Sequence, residues 1–237
     1  MWGLAIAPFT LSMTVNIDNY SALLRKLQPQ GVTLVAVSKL KPVSAIRTLY
    51  ELGHRDFGEN YVQELVDKKG ELPGDLRWHF IGHLQRNKVS FIAPFVHLIH
   101  GVDSFKLLKE INKEALKNNR TISVLLQVRI AEEETKFGLE EDDLEEIFKL
   151  LAAEPLANVA IKGFMGMASF SDDKEKVRRE FASLSALFSK YSKQRGHDHP
   201  MEILSMGMSD DYELAVGEGS NMVRIGSLVF GSRSPVG

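Results

Sequence analysis

A single (β/α)8 barrel is the fold this sequence predicts, and three observations carry the prediction. From Thr33 onward, eight short runs rich in β-branched and apolar residues alternate with longer helical patterns. No linker, low-complexity tract or internal repeat breaks the alternation, and 237 residues supply one well-buried core, not two full catalytic domains. Chemistry-bearing residues recur at the ends of the predicted strands, which is where a barrel places its sites. A doubly wound open sheet shows the same alternation but usually has fewer strands, so it ranks second.

The amphipathic stretch 17–27 opens the folded part of the chain. The first strand, 33–38, is a nearly continuous apolar run, as a strand covered on both faces requires. Further strands are read at 55–58, 78–82, 97–102, 123–130, 160–167, 202–206 and 222–229. Helical patterns fill the intervals at 44–52, 61–69, 85–92, 104–118, 141–153, 175–192 and 210–216. Right-handed crossovers between parallel neighbours would then close the sheet. Ser209-Asp210-Asp211 reads as an N-cap with acidic first-turn residues, and Gly217-Glu218-Gly219 as a helix C-cap and turn. The charged run 132–136 reads as a loop, 171–180 as a loop and solvated helix start, and 197–200 as an exposed turn. Met165, Met167, Met206 and Met208 read as core filling.

Composition excludes several classes. A formal charge of −2 gives no basic footprint for a nucleic-acid partner. The absence of cysteine rules out disulfides, thiolate metal sites and cysteine nucleophiles, and fits a cytoplasmic location. No apolar run is long enough to span a bilayer. The first nine residues are apolar but lack a basic n-region, so they make a poor signal peptide. Residues 1–12 are expected to be an N-terminal extension, with residues 13–237 forming the barrel.

Lys39 ends the first strand, and alternation from Thr33 through Val35 and Val37 would turn it inward. Desolvation there would lower the ammonium's pKa and expose an amine able to attack a carbonyl. The other reading is a lysine beyond the strand end, snorkelling into water as Lys41 is expected to do. Arg224, between Val223 and Ile225, must have an acceptor: a ligand or a carboxylate inside the barrel. Ser205, Gly226 and Ser227 suit an anion through a hydroxyl, a close backbone approach and exposed amides. His79 and His83 sit outside any metal-binding motif, so His79 is read as a strand histidine and no metal is expected.

The segments Val37-Ser-Lys39-Leu-Lys-Pro42, Phe57-Gly-Glu-Asn-Tyr-Val-Gln-Glu64 and Trp78-His-Phe-Ile-Gly-His-Leu-Gln85 closely resemble the pyridoxal-phosphate homeostasis proteins. So do Leu204-Ser-Met-Gly-Met-Ser-Asp-Asp211 and Met222-Val-Arg-Ile-Gly-Ser-Leu-Val-Phe-Gly231, and the resemblance runs from about Met13 to the end of the chain. It implies a barrel like the cofactor domain of alanine racemase, with pyridoxal 5′-phosphate (PLP) bound as an imine. By position, Lys39 resembles the imine lysine and Asn60 a residue beside the cofactor ring. Ser205, Gly226 and Ser227 resemble the phosphate site, and Arg224 the arginine at the pyridine nitrogen. Two positions depart from the family: Ser227 replaces a frequent threonine, and Arg129 stands where asparagine is common.

An arginine facing the pyridine nitrogen disfavours the protonated ring that carbanion-forming PLP enzymes use as an electron sink. Racemases with such an arginine rely on a tyrosine from another domain, and this chain ends six residues after Gly231. The resemblance therefore implies a non-catalytic, monomeric carrier that maintains PLP and delivers it to PLP-dependent apoenzymes. The alternatives are a small racemase or related amino-acid enzyme, and a class I aldolase-like barrel in which Lys39 attacks a phosphorylated sugar.

Overall fold

The computed structural model describes residues 15–131, 138–195 and 200–231. The strands are β1 (Thr33–Val37), β2 (Asp56–Glu59), β3 (Arg77–Phe80), β4 (Leu98–Val102), β5 (Ile122–Gln127), β6 (Val159–Met165), β7 (Ile203–Ser205) and β8 (Met222–Ile225). They close in sequence order into one barrel, and every pairing is parallel. The (β/α)8 reading holds. The helices are α1 (Ile17–Leu27), α2 (Val43–Glu51), α3 (Val62–Glu71), α4 (Val89–Ile92), α5 (Phe105–Lys117), α6 (Glu141–Ala153), α7 (Lys174–Arg195), α8 (Tyr212–Gly217) and α9 (Ser227–Phe230).

The pleat of β1 explains how the core divides. Leu34 and Ala36 face outward and join the large cluster that includes Ala45, Ile46 and Leu49 of α2. Val35, on the opposite face, belongs to a separate cluster made of strand residues: Leu98, Leu125, Met165 and Met222. That smaller cluster is the apolar plug inside the barrel. β1 pairs with β8 in the register Val35 to Arg224, so the first and last strand exits lie side by side as expected.

Several boundaries differ from the sequence reading. The last strand stops at Ile225, because Gly226 turns into αR backbone and Ser227–Phe230 wind into α9, burying Val229 and Phe230. The fifth stops at Gln127, beyond which Val128 donates its N–H to Met165 O at 2.8 Å and forms an isolated bridge to Leu139. The expected helix 85–92 is divided into a 3-10 turn, Arg86–Lys88, and α4. Ser209 is not an N-cap: α8 begins at Tyr212, after Asp211 has accepted the Met208 N–H in a tight turn. Glu180 is not solvated either, since it is buried and accepts both the N–H and the Oγ–H of Ser169. Met165 and Met206 fill the core, whereas Met208 is exposed. The runs 132–136 and 197–199, with the extension 1–12, lie outside the described residues. No helix among the described residues is long and apolar enough to cross a membrane.

Candidate functional site

Lys39 lies two residues beyond β1, half-buried in a turn closed by Lys41 N–H on Ser38 O at 3.0 Å. The turn is pinned from beneath. Ser38 Oγ donates to Glu59 Oε1 at 2.6 Å, inside the protein. Lys68 of α3 donates to Ser38 O (2.7 Å), Glu59 Oε1 (2.8 Å) and Glu64 Oε1 (2.6 Å). Glu64 Oε1 also accepts the Leu40 N–H at 2.6 Å. These contacts hold Leu40 at φ 59°, a left-handed conformation that a branched side chain adopts only when its surroundings impose it. Burial raises the Glu59 carboxyl above its usual range, against the pull of Lys68.

Lys41, expected in solvent, instead donates to Phe230 O at 3.0 Å and Gly231 O at 3.3 Å, at the carboxyl end of α9. It therefore ties the exit of β1 to the segment after β8. A Cβ built on Gly226 would lie 3.3 Å from Val37 O, so that glycine sits closely against the end of β1. Ser227 and Leu228 open α9, and their N–H groups have no intrahelical acceptor.

Asn60 follows β2, and its buried Oδ1 has no hydrogen-bond partner among the described residues; neither does Glu59 Oε2. Such orphaned acceptors are rare unless something else satisfies them. Gly82, beyond β3, explains how Asn60 is placed: a Cβ there would come within 2.5 Å of Asn60 O and 3.0 Å of Asn60 Cα. Gly82→Ala should therefore push Asn60 aside and cost about 1–3 kcal/mol. Denaturant unfolding checks this, and an unchanged midpoint would contradict the close packing.

Arg224 is nearly fully buried. Its Nη1 donates to Ser205 O at 2.9 Å and Ser205 Oγ at 2.7 Å, and its Nη2 to Gly166 O at 3.0 Å. Neutral acceptors thus take the place of the barrel carboxylate considered above. Burial lowers its pKa to about 10, with Asp211 opposing the fall, and the group stays charged at neutral pH. The three donated bonds leave two of the guanidinium's five N–H groups unused among the described residues.

Ser205, expected at the anion end, has its hydroxyl engaged by Arg224 and lies 3.2 Å from His100 Nδ1. Ser209, read above as a cap, lies half-buried in the loop after β7. Arg129, the departure on the pocket wall, is ion-paired with Glu140. His79 is a buried strand histidine, and His83 pairs with Asp103 at 3.4 Å.

His79, read above as a lone strand histidine, belongs to a buried polar file with Asp56 and His100. Asp56 takes Arg77 Nε at 2.7 Å and Nη2 at 2.5 Å, and lies 3.0 Å from His79 Nε2. Burial alone would raise Asp56, but the hydrogen bonds of Arg77 and His79 and the charge of Arg77 prevail and hold it far below the usual carboxylate range. A carboxyl lowered in this way gives stability that is present above about pH 4 and lost as pH falls, because the unfolded chain binds the proton first. Asp56→Asn should therefore flatten the rise in stability between about pH 2 and pH 4, by close to one proton at the acid end and about half a proton near pH 4. Urea midpoints measured across that window test it; an identical slope would refute the assignment.

The sequence family described as alanine racemase, N-terminal domain, matches residues 16–234. A pyridoxal phosphate homeostasis protein of Aquifex aeolicus is 42% identical over 201 residues, covering 84% of this chain and 86% of that protein. One from Escherichia coli K12 is 38% identical over 210 residues, 86% of this chain and 87% of that protein. The structure of PipY from Synechococcus elongatus PCC7942, with PLP bound, superimposes with a TM-score of 0.81 at 35% identity, covering 90% of this chain and 99% of that one. Alanine racemase of Clostridium difficile 630 shares the fold at a TM-score of 0.72 and 16% identity.

Proposed function

The chain belongs to the pyridoxal phosphate homeostasis protein family, and on that premise we propose that it binds PLP at the carboxyl end of the barrel, covalently on Lys39, and holds it for delivery without transforming it. The observation that carries this reading is the state of Arg224: buried, charged, fixed by three acceptors, and left with two unused donors. Those donors suit the ring nitrogen of PLP. The group also fits the rest of the site. Lys39 would capture the aldehyde, and Asn60 would border the ring with its unsatisfied Oδ1. Gly226 and Ser227, joined by Ser209, would take the phosphate, while Ser205 steadies Arg224 from below.

When bound, PLP supplies an electrophilic carbonyl and, if its ring nitrogen is protonated, an electron sink. Arg224 has only donors to offer, so it favours the unprotonated nitrogen and a weak sink. A weak sink makes α-proton removal depend on a well-placed second base, as in racemases that share such an arginine, so the carrier reading rests on the family together with Arg224. Cytoplasmic, monomeric action on PLP-dependent apoenzymes completes the proposal.

The test uses the intact protein incubated with PLP. A visible absorption band should vanish on borohydride treatment, leaving one stable adduct that maps to the peptide containing Lys39. In deuterated water, the same holoprotein should leave the α-protons of L-alanine and other amino acids in place. Exchange at enzymatic rates would overturn the carrier reading, and a protein that takes up no PLP would overturn the site.

A further inference from the structure

We infer that Asp56, His79, His100 and Ser205 form a one-way hydrogen-bond chain that ends on Arg224 and positions its guanidinium, with both histidines held as neutral Nε2–H tautomers. The functional side of this inference rests on reading Arg224 as the residue that faces the coenzyme; the direction of the chain does not.

The direction follows from the chemistry of the two ends. Arg224 carries only donors, so at 2.7 Å Ser205 Oγ must accept from its Nη1. The serine keeps one proton, and His100 Nδ1, 3.2 Å away, is there to receive it. A neutral imidazole that accepts at Nδ1 carries its hydrogen on Nε2. His100 Nε2 lies 3.0 Å from His79 Nδ1, so His79 accepts there and bears its own hydrogen on Nε2. That nitrogen is 3.0 Å from Asp56 Oδ1. Asp56, clamped by Arg77 through both oxygens, is ionised and can only accept. With neutral imidazoles, reversal is blocked at the carboxylate end, because Asp56 can only accept.

The chain lies within the protein: His79 is 1% exposed, His100 and Ser205 0%, and Arg224 4%. Burial pushes the His100 imidazole well below its usual range, and the fixed charge of Arg224 adds to the fall. Protonating either histidine would set hydrogen against hydrogen between His100 Nε2 and His79 Nδ1, or between His100 Nδ1 and the serine. The neutral chain draws the Ser205 proton toward His100 and keeps an Oγ lone pair aimed at Arg224. Together with Ser205 O and Gly166 O, it holds the guanidinium in one orientation. Asp56, His79 and His100 are accordingly positioning residues.

Long-range proton–nitrogen correlation spectra of the full chain labelled at histidine, recorded without PLP, test the direction. Two imidazoles assigned by His79→Gln and His100→Gln should be Nε2–H tautomers at pH 8, and that of His100 should stay so down to pH 5. Asp56→Asn lifts the block at one end, since an amide can donate or accept, and should bring the Nδ1–H form of His79 into the population. Either wild-type histidine found charged or as Nδ1–H at neutral pH overturns the chain. In the holoprotein, His100→Leu should weaken PLP binding about tenfold, the worth of one well-placed hydrogen bond, and shift the visible band. His97→Gln, beside His79 but outside the chain, serves as control. Unchanged affinity and band in His100→Leu overturns the positioning role. Failure of the wild type to take up PLP is read separately and bears on the site alone.

Discussion

Lys39→Ala is expected to fold normally, lose the visible band of bound PLP, and yield no borohydride-fixed adduct. Its residual affinity should fall by about two orders of magnitude or more, roughly 3 kcal/mol, because only the anion corner and Arg224 remain to hold the coenzyme. Folding should survive because the turn's geometry comes from its neighbours. Ser38 is fixed by Glu59 and Lys68, Leu40 by Glu64, and Lys41 by the end of α9. Lys41 is the nearest rival amine in sequence, and its Nζ is occupied by the carbonyls of Phe230 and Gly231. Absorption titration, followed by reduction and peptide mapping, measures both effects. A full-strength adduct on another lysine would remove Lys39 from the centre of the site.

The pattern of the fold was legible because short strand-like runs alternate with helical patterns along the chain, although β2 carries Asp56 and Glu59 and β3 carries Arg77 and His79. The pleat of β1 even separated inward Val35 from outward Leu34 and Ala36. Gly226 defeated the reading of the last strand. The apolar character of Leu228, Val229 and Phe230 fits a strand and a buried helical turn equally, and only local backbone decides between them. Of the residues in the proposed site, Lys39, Asn60, Arg224, Gly226 and Ser227 are legible as residue types at or near strand exits. Ser205 was visible too, but its role was not, since a hydroxyl's partner depends on strands distant in sequence.

His100 shows why such partners stay hidden. It lies 105 positions from Ser205, and nothing near it in the chain marks it as polar infrastructure. A periodicity check of β4 could have raised the question, because a histidine inside a wholly buried strand must find partners. Lys68 was hidden for a similar reason. On a helix dotted with lysines it reads as solvent-facing, and only tertiary structure puts it beneath the Lys39 turn.

Lys68→Met should produce the largest loss of stability, about 3–5 kcal/mol, by stranding Glu59 in the interior without its cation. The side chain of Lys68 is 7% exposed and that of Glu59 0%, so water cannot take over. Adding Glu59→Gln should restore part of the loss, and the double-mutant cycle then isolates the coupling between the two. The pH dependence gives an independent check. Glu59 is already raised by burial, and without Lys68 it rises further, so the stability of Lys68→Met is greatest with the carboxyl protonated and declines as pH increases. The deficit relative to wild type should therefore be smaller at pH 5 than at pH 8. The Leu40 amide, whose acceptor Glu64 loses its anchor, should exchange with solvent faster in the variant. A loss below about 1 kcal/mol, at the level of an exposed pair, would mean that the cluster does not hold the turn on which Lys39 stands.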